Sequence, residues 1–116
     1  MDSPCVEDIS PELAGYFSGA TLLTPEEQIQ ADGIVWELRD EWMYRWHRTR
    51  ERGLVSEILQ FARALAHLGR ERKLALLELY GRVLEEALMD FSPAAFECCL
   101  EVYPRMIRCL GGNRHG

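Results

Sequence analysis

The amino-acid sequence predicts an all-α protein, an antiparallel up-and-down four-helix bundle with a short N-terminal extension. Three observations lead there. Two apolar stripes at helical spacing run through residues 54–89 on either side of Gly69. Two helix-start signatures, Thr24-Pro25-Glu26-Glu27 and Ser92-Pro93, open further helical patterns before and after that pair. No stretch alternates polar and apolar residues as a half-buried strand does, and no internal repeat is present. At 116 residues and 47% hydrophobic, the chain has the length of one domain and the material for one core.

Residues 1–24 read as the extension or as a linker. Pro4, Pro11, Gly15 and Gly19 punctuate them, and Leu13, Tyr16 and Phe17 can form a short helical turn against the bundle. The bundle itself is expected over residues 25–110. Thr24 stands at an N-cap, Pro25 fits the first helical position, and Glu27 completes a capping box. This first helix is expected to reach about residue 50. Leu38, Trp42 and Trp46 follow each other at i, i+4 and form its core face. Trp36 and Met43 lie off that face, where they would meet another element or a partner. The three tryptophans read as core packing rather than as a stacking platform for a ligand. Gly33 weakens the helix by about 1 kcal/mol relative to Ala and allows a break there. Gly53 ends the helix.

An αα-hairpin comes next. Its first helix carries Leu54, Ile58, Phe61, Leu65 and Leu68 on one stripe, and its second carries Leu74, Leu77, Gly81, Leu84 and Leu88. Gly69 is expected to take the left-handed cap position, with Arg70-Glu71-Arg72 making the turn. Gly81, on the stripe itself, predicts two helices in close approach. Ser92 then caps a fourth helix with Pro93 in its first position. That helix is expected to bury Phe96, Cys99 or Leu100, Tyr103 and Ile107, to kink near Leu100 because of Pro104, and to end at Gly111-Gly112. Residues 111–116 read as a flexible tail.

Charge narrows the partners. The net charge is −6, and it is unevenly spread. Residues 1–44 hold ten acidic residues against Arg39 alone, a local charge of −9, and the remainder carries +3. A pI near 5.0 argues against nucleic acid, which rewards a basic face. The cluster Arg45, Arg48, Arg50 and Arg52, interleaved with Glu51, reads as a solvated helix end complementing the helix dipole. No run approaches the roughly 18 apolar residues of a membrane span, and the N-terminus lacks the regions of a signal peptide. We therefore expect a cytoplasmic chain with no membrane partner, free or part of a larger protein, and leave homodimer formation open.

The residues that might carry chemistry are few. Cys5, Cys98, Cys99 and Cys109 form no C-x-x-C pair and have no His at ligand spacing, so neither a metal nor another cofactor is expected. Cys98 and Cys99 point about 100° apart on a helix, Cys99 to the core and Cys98 to its edge. No nucleophile motif or phosphate-binding glycine loop is present. His115 lies in the tail, His47 in the arginine-rich helix end, and His67 about 140° from the hairpin's core stripe, on a polar side. Val55, Leu59, Ala62 and Ala66 fall on the other flank of that helix. They either meet a neighbouring helix or form a docking patch.

Residues 35–108 resemble a known family. The runs Leu65-Ala66-His67-Leu68-Gly69-Arg70-Glu71 and Leu79-Tyr80-Gly81-Arg82-Val83-Leu84-Glu85-Glu86-Ala87 carry the likeness, with Asp90-Phe91 and Tyr103-Pro104. The family is the helical domain at the carboxyl end of many bacterial hybrid sensor histidine kinases, which in turn resembles the histidine-containing phosphotransfer bundle. The resemblance implies two-component signalling and, as partner, a receiver domain or a sensor histidine kinase. In the phosphotransfer motif the active histidine is followed by Leu at two residues, Lys at three, Gly at four and a second Gly at ten. With Gly69 as that second glycine, Leu59 stands at the histidine position, Phe61 at the Leu, Ala62 at the Lys and Arg63 at the first glycine. Leucine accepts no phosphate, and Arg63 crowds the approach. The resemblance thus implies a non-catalytic docking module, not an enzyme, with Val55, Leu59, Ala62, Arg63 and Ala66 facing the partner. The alternatives are an active phosphotransfer protein using His67 or His47, and a helical adaptor or dimerisation module outside phosphorelay.

Overall fold

The computed structural model describes residues 10–111, so Cys5 and His115 lie outside the described residues. Among the described residues seven helices follow one another: α1 (Pro11–Ser18), α2 (Pro25–Arg39), α3 (Glu41–Arg52), α4 (Val55–Glu71), α5 (Ala75–Met89), α6 (Pro93–Glu101) and α7 (Tyr103–Leu110). Among the described residues there is no strand. The all-α class is as expected, whereas the count of four helices is not. The expected first long helix is divided at Asp40 into α2 and α3, and the expected last helix is divided at Val102 into α6 and α7. Gly33 sits inside α2 and breaks nothing.

The spine is the antiparallel pair α4–α5, the most extensive contact in the molecule. Ile58, Phe61 and Leu65 of α4 and Leu77, Leu84 and Leu88 of α5 are buried on the expected stripes, with Leu74 buried just before α5. Leu54 precedes α4 and is exposed. Gly81 does what its place on the stripe predicts. A Cβ there would stand 2.5 Å from the Ala62 carbonyl oxygen and 2.6 Å from the Ala66 nitrogen. Gly69 does the same work at the other end of the pair, which corrects its expected role as a cap. It lies inside α4, and a Cβ on it would meet the Glu78 backbone of α5.

The cap falls four residues later. The Leu74 N–H donates to the Gly69 carbonyl at 2.7 Å and the Lys73 N–H to the Arg70 carbonyl at 3.3 Å. These are the two bonds of a Schellman motif, with Lys73 at φ 57° in the position usually held by glycine. The tight packing of Gly69 on α5 outranks its preference for a helix end.

The N-terminal signal of α2 is realised in full. The Glu27 N–H donates to Thr24 Oγ1 at 3.1 Å, and the Thr24 N–H donates to Glu27 Oε1 at 2.9 Å. Glu27 Oε2 also accepts from the Ala75 N–H, tying the start of α5 to α2. Ser92 occupies the N-cap position of α6 but makes no side-chain capping bond. α1 is no loose lead-in: Ser10 Oγ caps it, and Leu13 is fully buried against a core that α1 shares with α5 and α7.

The two helix breaks are held by buried donors from neighbouring helices. Proline 104 has no N–H to give the carbonyl four residues back, that of Leu100. The Trp46 indole N–H supplies the missing donor at 2.7 Å. The Tyr80 hydroxyl donates to the Cys99 carbonyl at 2.7 Å, and the Tyr103 hydroxyl donates to the Leu38 carbonyl at 3.1 Å, in the last turn of α2. Trp46, Phe61, Tyr80 and Tyr103 pack as one aromatic cluster around these bonds, with the Trp46 and Tyr103 rings stacked 5.7 Å apart. No buried side-chain nitrogen or oxygen among the described residues is left without a partner.

Candidate docking surface

The five expected partner-facing residues divide sharply. Ala62 and Ala66 are buried beneath Gly81 of α5, so they belong to the spine and not to a surface. The physical reason is the glycine itself: without a side chain at 81, the α5 backbone descends onto that flank of α4. Leu59 is half-buried and packs on the core. Val55 is 47% exposed and Arg63 is exposed. Arg63 crosses to α5, where its Nε lies 3.0 Å from Glu85 Oε2. The accessible remainder is Val55, the outer edge of Leu59, and Arg63.

That remainder continues into residues the sequence reading left aside. In the antiparallel spine, Ala66 faces Gly81 and Arg63 faces Glu85, so the start of α4 and the end of α5 share one end of the molecule. Leu54 and Val55 are exposed there, and so are Met89 and Phe91, the last 82% exposed. Phe91 also has a strained backbone. Its φ is 53°, again at the glycine position of a Schellman motif, with its N–H donating to the Leu88 carbonyl and the Ser92 N–H donating to the Ala87 carbonyl. A bulky residue in the left-handed region costs about 1–2 kcal/mol. A large apolar ring thus stands in water on a backbone that opposes it. The sequence carried one usable signal. Ser92-Pro93 must start a helix, so Asp90-Phe91 has to end the previous one.

His67 lies toward the far end of α4, and His47 sits on α3, whose last turn leads into α4. His67 is exposed, as its angle predicts, with Nε2 3.1 Å from Glu71 Oε2 one turn on. His47 is exposed on α3, its ring centroid 4.9 Å from that of Trp46. Of the arginine cluster, Arg50 pairs with Glu101 and Arg52 with Glu57, while Arg45 stacks over Trp42 and Arg48 over Tyr44.

Burial sets the chemistry of the remaining titratable groups. Desolvation pushes the Tyr80 and Tyr103 hydroxyls and the Cys99 thiol upward, Cys99 also through neighbouring Cys98. These groups stay protonated and act as donors or packing, not as nucleophiles. As expected, Cys99 is buried and Cys98 lies at its edge. Among the described residues no three or more of His, Cys, Asp and Glu converge to hold a metal ion. A shallow cleft of about 390 Å³ between α1 and α5 is lined by Tyr16, Glu78 and Arg82 among others, with no imidazole or thiol in its wall. Glu78 is already engaged by Arg70. No described helix is long and apolar enough to cross a membrane. In comparison with known proteins, no family model, curated protein or solved structure matches the chain.

Proposed function

We propose that this chain is a non-catalytic, phosphotransfer-like helical module of two-component signalling, which docks a receiver domain or a sensor histidine kinase. The reading rests on the residues of the family resemblance together with the surface at the α4–α5 end. The single observation that carries it is the side chain at the phosphotransfer position. Leu59 stands there half-buried, one turn from exposed Val55, with neither described histidine at that position. Such a surface suits association and offers no phosphate acceptor.

The fold supports the same reading if α2–α3 and α6–α7 are each counted as one interrupted rod. Together with α4 and α5 they then supply the four rods of a phosphotransfer-like bundle. The interruptions are where Asp40 and Pro104 fall, and the aromatic donors described above hold them.

The test is calorimetric titration of the chain against a panel of receiver domains and kinase dimerisation domains, with Phe91→Gly and Val55→Glu beside the native protein. Phe91→Gly removes the exposed ring and relieves the backbone, so it is expected to hold or raise stability while weakening binding about tenfold or more. Val55→Glu is expected to weaken binding with the helical spectrum intact. Native affinity in both variants, or no binding by any receiver or kinase domain, would overturn the proposal.

A further inference from the structure

The outer face of α2 carries a second apolar surface, independent of the one above. Ala31, Ile34 and Leu38 are buried along the inner side of this helix. At 100° per residue, Ile29, Gly33 and Trp36 lie on the opposite side. Ile29 is 70% exposed and Trp36 72% exposed, and between them a Cβ on Gly33 would meet nothing within 4 Å. The stripe is therefore a shallow dent walled by two large apolar side chains.

Among the described residues, nothing packs against Gly33. The other helix-interior glycines among the described residues are each explained by a neighbour: Gly15 by the Thr21 side chain, Gly69 by the α5 backbone, Gly81 by the α4 backbone. Gly33 has an ordinary helical φ and open space, yet it loosens α2 relative to alanine. The open space at Gly33 leaves room for a side chain from outside to approach the α2 backbone.

Charge identifies what approaches. Glu26 and Glu37 flank the stripe on one side and Asp32 on the other, and all three are exposed. None of them makes an ion pair among the described residues. The one cation on this face, Arg39, lies over the Trp36 ring with its carbon 5.8 Å from the centroid. The chain's first residues bring Asp2, Glu7 and Asp8, of like charge, and a second copy brings a net −6. Long-range charge therefore favours a cationic partner over a second copy.

We infer that the outer face of α2 is a docking site for a basic amphipathic helix of another protein or domain. One apolar side chain of that helix fills the dent over Gly33 between Ile29 and Trp36, and its lysines or arginines meet Glu26, Asp32 and Glu37.

The probe is a synthetic lysine–leucine peptide of about 18 residues with its leucines on one helical face. Its controls are a scrambled peptide of the same composition and a glutamate version of the patterned one. Binding is read from tryptophan fluorescence, which moves to the blue as Trp36 leaves water. The patterned basic peptide is expected to bind at least about tenfold more tightly than either control. Gly33→Ala is expected to raise the melting temperature by about 4 °C and to weaken the peptide about tenfold. Trp36→Ala, at an exposed site, and the pair Asp32→Lys with Glu37→Lys are expected to weaken it likewise with the fold unchanged. Equal binding of the scrambled peptide, or native affinity in Gly33→Ala and Trp36→Ala, overturns the inference. So does sedimentation showing self-association that Trp36→Ala abolishes, since the occupant would then be a second copy.

Discussion

Replacing Trp46 with Phe tests how the break between α6 and α7 is held. The indole N–H is the donor that the Leu100 carbonyl receives, at 2.7 Å in the core. Phe keeps most of the ring stacked on Tyr103 but leaves that carbonyl without its donor. A buried acceptor stripped of its partner costs about 1–3 kcal/mol, and the smaller ring adds to it, so we expect a loss of about 2 kcal/mol. For a chain of this size that lowers the melting temperature by about 8 °C. The cause is separable from mere packing. Pro104→Ala restores a backbone N–H four residues after Leu100, which can take over the carbonyl. In that background Trp46→Phe is expected to cost about 1 kcal/mol less. Urea denaturation of the native protein, both single variants and the double variant gives the coupling directly. A coupling below about 0.5 kcal/mol would refute the exchange of donors between Trp46 and position 104.

Three other expectations follow from the packing. Phe61→Ala or Leu65→Ala should cost about 2–5 kcal/mol, against about 0.5 kcal/mol or less for exposed His67→Ala, by the same denaturation assay. Gly69→Ala and Gly81→Ala should each destabilise the protein despite alanine's better helix propensity, because the added methyl meets backbone across the α4–α5 seam; a rise in melting temperature in either would contradict that close approach. Tyr80 and Tyr103 have pKa values raised above the unfolded-chain value by burial, so their stabilising contribution is complete below about pH 10 and drains away above it, at up to about 1.4 kcal/mol per pH unit for each group. Cys99 adds a like loss from about pH 9 upward, and an unfolding free energy that stays flat from pH 9 to 11 would disprove this account of the core.

The hairpin was legible because its signal is redundant: of ten stripe positions eight are buried, Leu54 being exposed and Leu68 partly buried, and Gly81 fixes which faces meet. The capping box at Thr24 was legible because it is local. What escaped the sequence was tertiary. Gly69 satisfies the rule for a helix cap and the rule for close packing equally well, and only the position of α5 decides between them. The break at Asp40 has no proline or glycine to announce it; the Tyr103 hydroxyl that donates to the Leu38 carbonyl is 65 residues away. Pro104 did announce a disturbance, but not that Trp46 would supply the missing donor. On the surface, the helical angle placed Ala62 and Ala66 correctly on the flank of α4. It could not say that α5 would cover them, because that depends on the missing side chain at Gly81. The exposure of Met89 and Phe91 does not show in a periodicity, which reads them only as the end of a helix.

On the proposed function, the scaffold docks its partner without taking phosphate. Transfer of radiolabel from a set of phosphorylated receiver domains tests it most directly, with the native protein beside His47→Ala and His67→Ala. The prediction is no acid-labile label on any of the three. The complementary variant carrying Leu59→His, Ala62→Lys and Arg63→Gly should gain label only if its buried Lys at 62 is accommodated beneath α5. Label on the native protein that disappears in one of the histidine variants would contradict the claim and identify the chain as an active phosphotransfer protein.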